Sequence, residues 1–438
     1  MKETNVHAIF DIGKTNKKLF LFDEQGEIAW RTTTTFPTVE DEDGFISDDL
    51  SAIEDWMVDT MTELMTMGKW RIKTVNFSGY GASLVYLDEN GDRLPMFINY
   101  LKPYPENLAH QLFDKYGPKV KFCQETASPW LGMLNSGLQI YWLKYAKPDW
   151  FSKVKYVLHF PQYLSYLFGE TPLSEYTSIG CHTGMWDYSK NNYHRWIYEE
   201  DIRELLPPIE PSDTWTDANF HGHSVKVGTG LHDTSASLIP YLTSEKKPFM
   251  LLSTGTWALA VNPFSQDKLS QEDLVNDCLN FLRIDGQQVR TARLFLGREH
   301  EIQVDLLSEY YGVDMDEILT LKWNPDTYKK SKKAKRHPFE FEHLNLESYK
   351  SNQIGKNSDP PDWTLAYYQL MDHLVLLQRE AIHRAAGSQD IRRLIIEGGF
   401  VHNGIFVELL RQGLPDWEVK NSEVKGGSAR GVFELIHH

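Results

Sequence analysis

The sequence predicts an α/β protein with two lobes and a central cleft between them. A strand–turn–strand pattern opens the chain, and a second one follows its midpoint. Each pattern is accompanied by segments of helical periodicity. No internal repeat of about 20–50 residues is visible, which disfavours a solenoid. We therefore expect a first lobe over residues 1–228 and a second lobe over residues 229–438.

The first lobe is expected to open with short strands and to become helical towards its end. Residues 6–11, 17–23 and 27–34 have strand patterns, and the tight turns between them favour antiparallel hairpins. A buried strand that ends in glycines is predicted over residues 72–81. Residues 104–210 are mostly helical in pattern and rich in aromatic side chains.

One long amphipathic helix is predicted between these strands. Ser47 or Asp48 suits its N-cap, and Gly68 ends it. Apolar residues recur at helical spacing along this segment and predict one buried face. They are Leu50, Ile53, Met57, Met61 and Leu64.

The second lobe alternates strands, glycine turns and helices. A strand, a glycine turn and a helix are predicted over residues 223–242. Two strands over residues 249–264 meet at a tight Ser-Thr-Gly-Thr turn. A long helix is expected over residues 361–386, and a strand, a double glycine and a helix over residues 392–410.

Composition limits the classes of function. The net charge of −16 argues against nucleic acids and anionic membranes as partners. Cys123, Cys181 and Cys278 match neither a disulfide framework nor a zinc-ligand pattern, which indicates a reducing compartment. The chain enters a strand without a signal peptide, and no apolar run reaches the ~18–20 residues of a membrane span. These features predict a cytoplasmic protein.

The stretch DIGKTN, between the first two predicted strands, is a candidate phosphate turn. It is not a Walker loop, because that motif requires a glycine five residues before Gly13 and the chain has Ala8 there. A hairpin turn can still bind phosphate through inward-pointing backbone N–H groups. Gly13 permits close approach, Thr15 offers a hydroxyl, and Asp11 can hold Mg²⁺, directly or through water.

Two more glycine-containing turns have the same character. In STGTW, Gly255 and Thr256 take the roles of Gly13 and Thr15. In EGGFVHN, Gly398 and Gly399 can let a flat base lie against the backbone at a helix start. Each turn alone is a weak signal, but the three together indicate a nucleotide site.

Asp233 is the candidate catalytic base. Phosphoryl transfer needs positioning, charge stabilisation and one carboxylate that accepts the proton of the attacking hydroxyl. Asp233 lies between a histidine and a threonine at a predicted helix start. Two alternatives stay open: Asp233 caps that helix, or His221, His223 and His232 form a metal site of a hydrolase.

Four segments, DIGKTNKK, GLHDTSA, STGTW and EGGFVHN, resemble the FGGY family of carbohydrate kinases over nearly the whole chain. That family has the actin-like ATPase (ribonuclease H-like) fold. The family's first turn has the form Asp-x-Gly-Thr/Ala-Ser/Thr-Ser-x-Arg, which Asp11, Gly13 and Thr15 match. Lys14 and Lys18 stand where threonine and arginine are common. The Gly-x-His-Asp-Thr segment is most similar to the rhamnulokinase branch.

The resemblance implies an ATP- and Mg²⁺-dependent kinase for a small sugar, such as L-rhamnulose, L-fuculose or a pentulose. It implies that Asp233 is the base and that Asp11 holds the metal. The implied sugar contacts are Tyr80, Gly81, His232 and Thr234. The implied ATP contacts are Gly13, Thr15, Asn16, Lys18, Gly255, Thr256, Gly398, Gly399 and Asn403. A homodimer is compatible with this prediction.

The chain departs from the family in the loop from Asn99 to Glu106. An Asp-x-Arg signature is usual there, and both the acid and the arginine are missing. Lys102, Tyr104 and Arg298 are candidate replacements. Two other functions therefore stay open. One is an actin- or chaperone-like ATPase that changes shape with nucleotide, and the other is a catalytically degenerate protein that binds only sugar or nucleotide.

Overall fold

The computed structural model describes residues 3–344 and 362–437. Its strands are β1 (Thr4–Ile12), β2 (Lys17–Asp23), β3 (Ile28–Thr34), β4 (Thr38–Glu40), β5 (Ile46–Asp48), β6 (Trp70–Gly79), β7 (Leu84–Leu87), β8 (Tyr156–His159), β9 (Trp186–Asp187), β10 (Asn192–Tyr193), β11 (Trp215–Phe220), β12 (His223–Gly228), β13 (Leu231–His232), β14 (Met250–Thr254), β15 (Ala258–Asn262), β16 (Cys278–Leu282), β17 (Gln288–Leu294), β18 (Arg393–Gly398) and β19 (Glu418–Asn421).

The helices surround these strands. They are α1 (Leu50–Thr66), α2 (Glu106–Tyr116), α3 (Lys119–Glu125), α4 (Gly137–Ala146), α5 (Pro148–Phe151), α6 (Phe160–Gly169), α7 (Tyr176–Ile179), α8 (Arg195–Glu199), α9 (Asp233–Ser244), α10 (Gln271–Val275), α11 (Leu296–Tyr311), α12 (Met315–Leu319), α13 (Pro325–Lys333), α14 (Trp363–Ala386), α15 (Gly404–Gly413) and α16 (Gly427–Glu434). Within the described residues, no helix is both long and apolar enough to cross a membrane.

The first sheet has the order β11-β12-β6-β1-β2-β3, and β13 also pairs with β6. The predicted hairpins are confirmed, since β1–β2 and β2–β3 are antiparallel, whereas β1 and β6 are parallel. Both faces of β1 are covered, because successive side chains point to opposite sides. Ala8 and Phe10 lie in the core that α1 covers, and Ile9 lies in the core that α9 and α16 cover.

Helix α1 has the predicted apolar face but a different N-cap. The five predicted face residues are buried. The cap is Asp49, whose carboxylate accepts a hydrogen bond from Ala52 N at 3.0 Å, so the prediction of Ser47 or Asp48 is wrong. Both residues belong to β5 and have other partners: Ser47 donates to the Phe97 carbonyl, and Asp48 bonds Lys14.

The second sheet has the order β16-β17-β15-β14-β18-β19. The two strands that flank the STGTW turn are antiparallel, as predicted, and β14 pairs with β18 in parallel. The predicted helix over residues 361–386 is α14, which starts at Trp363 and is central to the core of this lobe. Residue 361 lies outside the described residues.

Strand β13 is part of the first sheet, and helix α9 packs against that sheet. The predicted division after residue 228 falls between β12 and β13, which both pair with β6, and the second sheet starts at Met250. The two-lobe boundary therefore stays a prediction. The helical segment over residues 104–210 forms a third apolar cluster, and Leu282 of β16 is part of it.

Candidate active site

Strand β6 brings together the chain segments of the candidate catalytic centre. It pairs in parallel with β1, where Ile12 is opposite Gly79, and with β13, where His232 is opposite Gly79. The carboxyl ends of parallel strands lie at the same edge of a sheet. Asp11, Tyr80 and Asp233, which end or directly follow these strands, therefore meet at one edge.

Asp233 is the first residue of α9, and its side chain does not cap the helix. Its carboxylate accepts hydrogen bonds from its neighbour, from Thr234 N at 2.6 Å and from Thr234 Oγ1 at 3.2 Å. The N-cap position belongs to His232, which makes no side-chain cap bond. The Asp233 side chain keeps 35% of its surface accessible in the cleft. Because protein atoms crowd it there, burial raises its pKa to about 6.

Asp11 faces Asp233 from the end of β1. Its Oδ1 accepts a hydrogen bond from Ser428 Oγ at 2.7 Å, and Lys18 Nζ lies 3.6 Å from Oδ2. Burial raises the pKa of Asp11, and the charge of Asp233 raises it further, so the two carboxylates repel each other. Lys18, a predicted ATP contact, thus lies beside the predicted metal residue.

Gly81 packs against the histidine that precedes Asp233. A Cβ at this position would lie 2.3 Å from Cys181 Sγ and 3.3 Å from the His232 ring, so the close approach requires glycine. His232 Nε2 lies 3.0 Å from Cys181 Sγ and 3.3 Å from Asp233 Oδ1. Burial lowers the pKa of His232 to about 3, so its ring is neutral. The predicted sugar contacts Gly81, His232 and Thr234 therefore surround the predicted base.

Tyr80 has a hydroxyl that is already engaged. It is buried, and its Oη donates to Asp48 Oδ2 at 2.6 Å. Burial raises the pKa of Tyr80, and the Asp48 carboxylate raises it further, so the phenol keeps its proton. Its hydroxyl is therefore engaged within the protein, and a contact between Tyr80 and the sugar stays a prediction.

The predicted nucleotide residues of the second lobe gather at the edge of the second sheet. Parallel pairing of β14 with β18 places Thr254 opposite Gly398, so the STGTW turn lies beside the double glycine. A cavity of about 420 Å³ opens between these turns. Its lining includes Gly255, Thr256, Gly297, His300, Gly399 and Asn403.

Two glycines shape this cavity through their backbones. Gly398 has φ +85°, and a Cβ there would lie 1.8 Å from the Thr254 carbonyl oxygen. Gly297, at the start of α11, was not predicted; a Cβ there would lie 1.9 Å from the Gly255 carbonyl oxygen. Close backbone approach thus leaves room for a flat ligand between the turns.

The first turn leaves its predicted phosphate contacts accessible, whereas Asn403 has a structural role. Gly13 N donates to the Asn16 carbonyl at 3.0 Å, which closes the turn, and Thr15 and Asn16 are exposed. Asn403 caps α15 by accepting from the backbone N–H groups of the second and third residues of that helix, and its amide donates to Tyr367 Oη at 2.8 Å. The amide of Asn403 is thus engaged within the protein, although the residue lines the cavity.

The three proposed replacements for the missing Asp-x-Arg signature lie elsewhere. Lys102 forms ion pairs with Asp41 at 2.9 Å and Asp43 at 2.5 Å, so its charge is neutralised. Tyr104 has a buried hydroxyl, and its ring packs against an indole. Arg298 lies on the nucleotide side, where its backbone N–H donates to the carbonyl of the STGTW turn. Lys102 and the Tyr104 ring are thus engaged by residues distant in sequence, and the Arg298 side chain pairs with Glu301 in its own helix. Sugar contacts by these three residues stay predictions.

Three residues of the site were missed by the sequence analysis. Cys181 packs against His232, Ser428 holds Asp11, and Asp48 bonds both Tyr80 and Lys14. The Gly-Gly-Ser stretch that ends at Ser428 resembles the other glycine turns, so the sequence could have indicated this residue. Asp48 and Cys181 carry no comparable local pattern.

Comparison with known proteins identifies the family. Residues 6–239 match the N-terminal domain of the FGGY family of carbohydrate kinases, and residues 246–324 match the carbohydrate kinase FGGY C-terminal domain. A rhamnulokinase from Oceanobacillus iheyensis is 24% identical over 228 residues, which are 47% of this chain and 46% of that protein. The match thus spans about half the length of such curated relatives.

Solved structures resemble nearly the whole chain. A carbohydrate kinase from Novosphingobium aromaticivorans superposes with a TM-score of 0.83 and 23% identity, covering 99% of this chain and 91% of that one. A xylulose kinase from Lactobacillus acidophilus gives a TM-score of 0.77 with 14% identity, covering 98% and 88%. These likenesses confirm the predicted two-lobed, actin-like α/β fold.

Proposed function

Because the chain belongs to the FGGY family of carbohydrate kinases, we propose that it transfers the γ-phosphate of ATP to a hydroxyl group of a small sugar. The observation that carries this proposal is the position of Asp233. It lies beside Gly81 and His232 and faces Asp11 at the carboxyl ends of β1, β6 and β13.

Asp233 is suited to the role of general base. A base works best when its pKa lies near the working pH, because it is then both ionised and strong enough to take a proton. Burial raises the pKa of Asp233 to about 6, which meets this condition. Neutral His232 adds no positive charge beside it. The carboxylate therefore takes the proton of the hydroxyl that attacks.

The remaining turns fit ATP and Mg²⁺. The exposed first turn offers backbone N–H groups and the Thr15 hydroxyl, and the cavity beside Gly399 is bordered by glycine backbone. Asp11 fits Mg²⁺, which proteins usually hold through one or two carboxylates with substrate phosphates and waters. When bound, Mg²⁺–ATP supplies the phosphoryl group and neutralises its charge.

We propose a ketose as the acceptor, with L-rhamnulose, L-fuculose and the pentuloses as the first candidates. The support is the Gly-x-His-Asp-Thr segment at residues 230–234 and the similarity to proteins named rhamnulokinase. The three buried cysteines are unpaired, which supports the proposal of a cytoplasmic enzyme. A homodimer remains compatible with this function.

A coupled ADP-release assay tests the proposal. The purified protein is incubated with ATP, Mg²⁺ and a panel of L-rhamnulose, L-fuculose, xylulose, ribulose and glycerol. We expect one acceptor to stimulate ADP release, and Asp233→Asn to reduce kcat by about 10²- to 10⁴-fold with the fold intact. Asp316→Asn is the matched control, because Asp316 is an exposed acid in the first turn of α12.

Two results would contradict the proposal. ATP hydrolysis that no sugar stimulates would favour the actin- or chaperone-like ATPase. Sugar or ATP binding without any turnover would favour the degenerate kinase. Sugar-dependent turnover that persists in Asp233→Asn would refute the role of Asp233 alone.

A further inference from the structure

Lys14 extends from the first turn, DIGKTN, to Tyr100 in the loop from Asn99 to Glu106. Its Nζ lies 2.6 Å from Asp48 Oδ2, 5.3 Å from the centre of the Tyr80 ring and 4.9 Å from that of Tyr100. The Tyr80 hydroxyl donates to the same Asp48 oxygen. One carboxylate and two aromatic faces thus hold the ammonium, and cation–π attraction adds to the ion pair.

Lys17 fixes the backbone from which Lys14 projects. It is buried, and its Nζ donates to the Lys14 carbonyl at 2.8 Å. Its ammonium also lies 3.9 Å from Asp48 Oδ1. Because the turn is held in this way, the direction of the Lys14 side chain is set by the protein before any ligand arrives.

The side chain of Lys14 is partly accessible, whereas that of its carboxylate partner is buried. The Lys14 side chain is 35% exposed and that of Asp48 is 9% exposed. Among the contacts of the described residues, one hydrogen bond of the ammonium goes to a side chain, that of Asp48. An ammonium has three donors, so donors remain for a ligand.

Lys14 and its aromatic partners lie near the residues that are predicted to contact the sugar. Tyr80 directly precedes Gly81, which packs against His232. Burial raises the pKa of Tyr100, and the charges of Asp48 and Asp233 raise it further. Lys14 therefore contacts Tyr80, whose neighbour Gly81 packs against the histidine that precedes the proposed base.

We propose that Lys14 binds the acceptor sugar, that its ammonium donates hydrogen bonds to hydroxyl groups of a neutral polyol, and that Asp48 positions it. The proposal rests on the proposed kinase function. The loop from Asn99 to Glu106 lacks the usual acid and arginine, and Asp48 and Lys14 bring a carboxylate and a cation to Tyr100 of this loop. The negative charge of Asp48 beside Lys14 opposes the binding of a sugar acid's carboxylate, so the pair favours hydroxyl groups.

Lys14→Met tests the contact. With the sugar that the panel identifies, we expect the KM for sugar to rise about 10- to 100-fold, the loss typical of a hydrogen bond to a charged group. The KM for ATP should change by less than about twofold. Lys14→Arg should recover part of the affinity, because it keeps the charge and the donors.

Lys332→Met is the matched control. Lys332 Nζ lies 2.6 Å from Asp372 Oδ2 and 5.1 Å above the Tyr328 ring, so the variant removes an equivalent ion pair and aromatic contact far along the chain. It should leave both KM values unchanged. Thermal unfolding of each variant establishes that the protein is folded.

Asp48→Asn distinguishes a role of Asp48 in positioning Lys14 from a purely structural role. It removes the charge that neutralises Lys14, so we expect the ratio of affinities for D-gluconate and for the ketose to rise at least about tenfold. Calorimetric titration of either compound into protein that also carries Asp233→Asn measures binding without turnover. An unchanged ratio would refute the positioning role of Asp48.

The outcomes separate this inference from the proposed function. Unchanged sugar affinity in Lys14→Met, with sugar-dependent turnover in the wild type, overturns the inference alone. A raised KM for ATP or a reduced kcat with unchanged sugar KM also overturns it, because Lys14 would then act on the phosphates. Failure of the wild type to bind or phosphorylate any sugar overturns both.

Discussion

At the scale of single residues, the chemistry depends on how His232 holds its protons. The Ser235 hydroxyl donates to the Leu282 carbonyl at 3.0 Å, so its oxygen can accept from His232 Nδ1 at 3.3 Å. Nε2 then carries the lone pair that faces Cys181 Sγ, since a neutral ring holds one proton. The contact between His232 and Asp233 is therefore not an ion pair, and His232 does not lower the pKa of Asp233.

The raised pKa of Asp233 predicts an acidic limb in the rate profile. The carboxylate must be ionised to take a proton, and its pKa is about 6. We expect kcat/KM for the sugar to fall about tenfold per unit of pH below that value and to level off above it. Initial rates at subsaturating sugar between about pH 4.5 and pH 8 measure this. A rate that stays constant through pH 5 would contradict the assignment.

The raised pKa of Asp233 also makes the stability of the protein depend on pH. In the unfolded chain an aspartate has a pKa near 3.9, so the folded protein holds this proton more tightly. The free energy of unfolding therefore loses this contribution as pH rises from about 4 through about 6. Asp233→Asn lacks the contribution, so its stability relative to the wild type should increase over that range. Denaturant unfolding at pH 4.5 and pH 7.5 measures the difference.

At the scale of secondary-structure elements, the junction of β14 and β18 depends on one glycine. Gly398 has φ +85° and ψ −160°, a conformation that is nearly exclusive to glycine. Gly398→Ala should cost about 1–3 kcal/mol from the backbone alone, and its Cβ would also meet the Thr254 carbonyl. The urea concentration at the midpoint of unfolding should fall, and the KM for ATP should rise.

Gly399→Ala is the control for this prediction. Its Cβ would meet nothing within 4 Å, and its φ is not in the left-handed region. The free energy of unfolding should therefore stay within about 0.5 kcal/mol of the wild type. Equal destabilisation by the two substitutions would show that the conformation of Gly398 is not the limiting feature.

Local patterns predicted elements and turns, whereas contacts between distant residues escaped them. The hairpins of β1–β3 and the glycine turns follow from alternation and turn residues, which act over a few positions. Ser428 and Asp11, which share a hydrogen bond, are 417 residues apart. The same limit explains why the ion pairs of Lys102 and Asp48 were missed, since only the tertiary fold brings their partners together.

At the scale of the whole molecule, β16 joins the second sheet to the helical part of the first lobe. Leu282 lies in the apolar cluster of that helical segment, and Asn280 N donates to the Ala127 carbonyl at 2.8 Å. The Leu282 carbonyl also accepts the hydrogen bond of Ser235, which contacts His232. The position of β16 is therefore linked by direct contacts to the candidate catalytic centre.

Gly180 tests that coupling. Its φ of −75° suits any residue, but a Cβ would lie 2.5 Å from Leu282 Cγ and 2.6 Å from Leu282 N. Gly180→Ala must displace the strand, so it should cost about 1–3 kcal/mol of stability, as overpacking does. It should also reduce kcat/KM for the sugar, because the displacement reaches Ser235 and His232.

The matched control is Gly404→Ala, at the start of α15, where a Cβ meets nothing within 4 Å. Alanine is a better helix former than glycine by about 0.5–1 kcal/mol, so this variant should be as stable as the wild type or more so. Urea unfolding of both variants, followed by kinetics with the identified sugar, compares them. If Gly180→Ala unfolds at the same urea concentration as Gly404→Ala, then β16 can shift freely. Lobe packing would in that case not hold the His232 site in place.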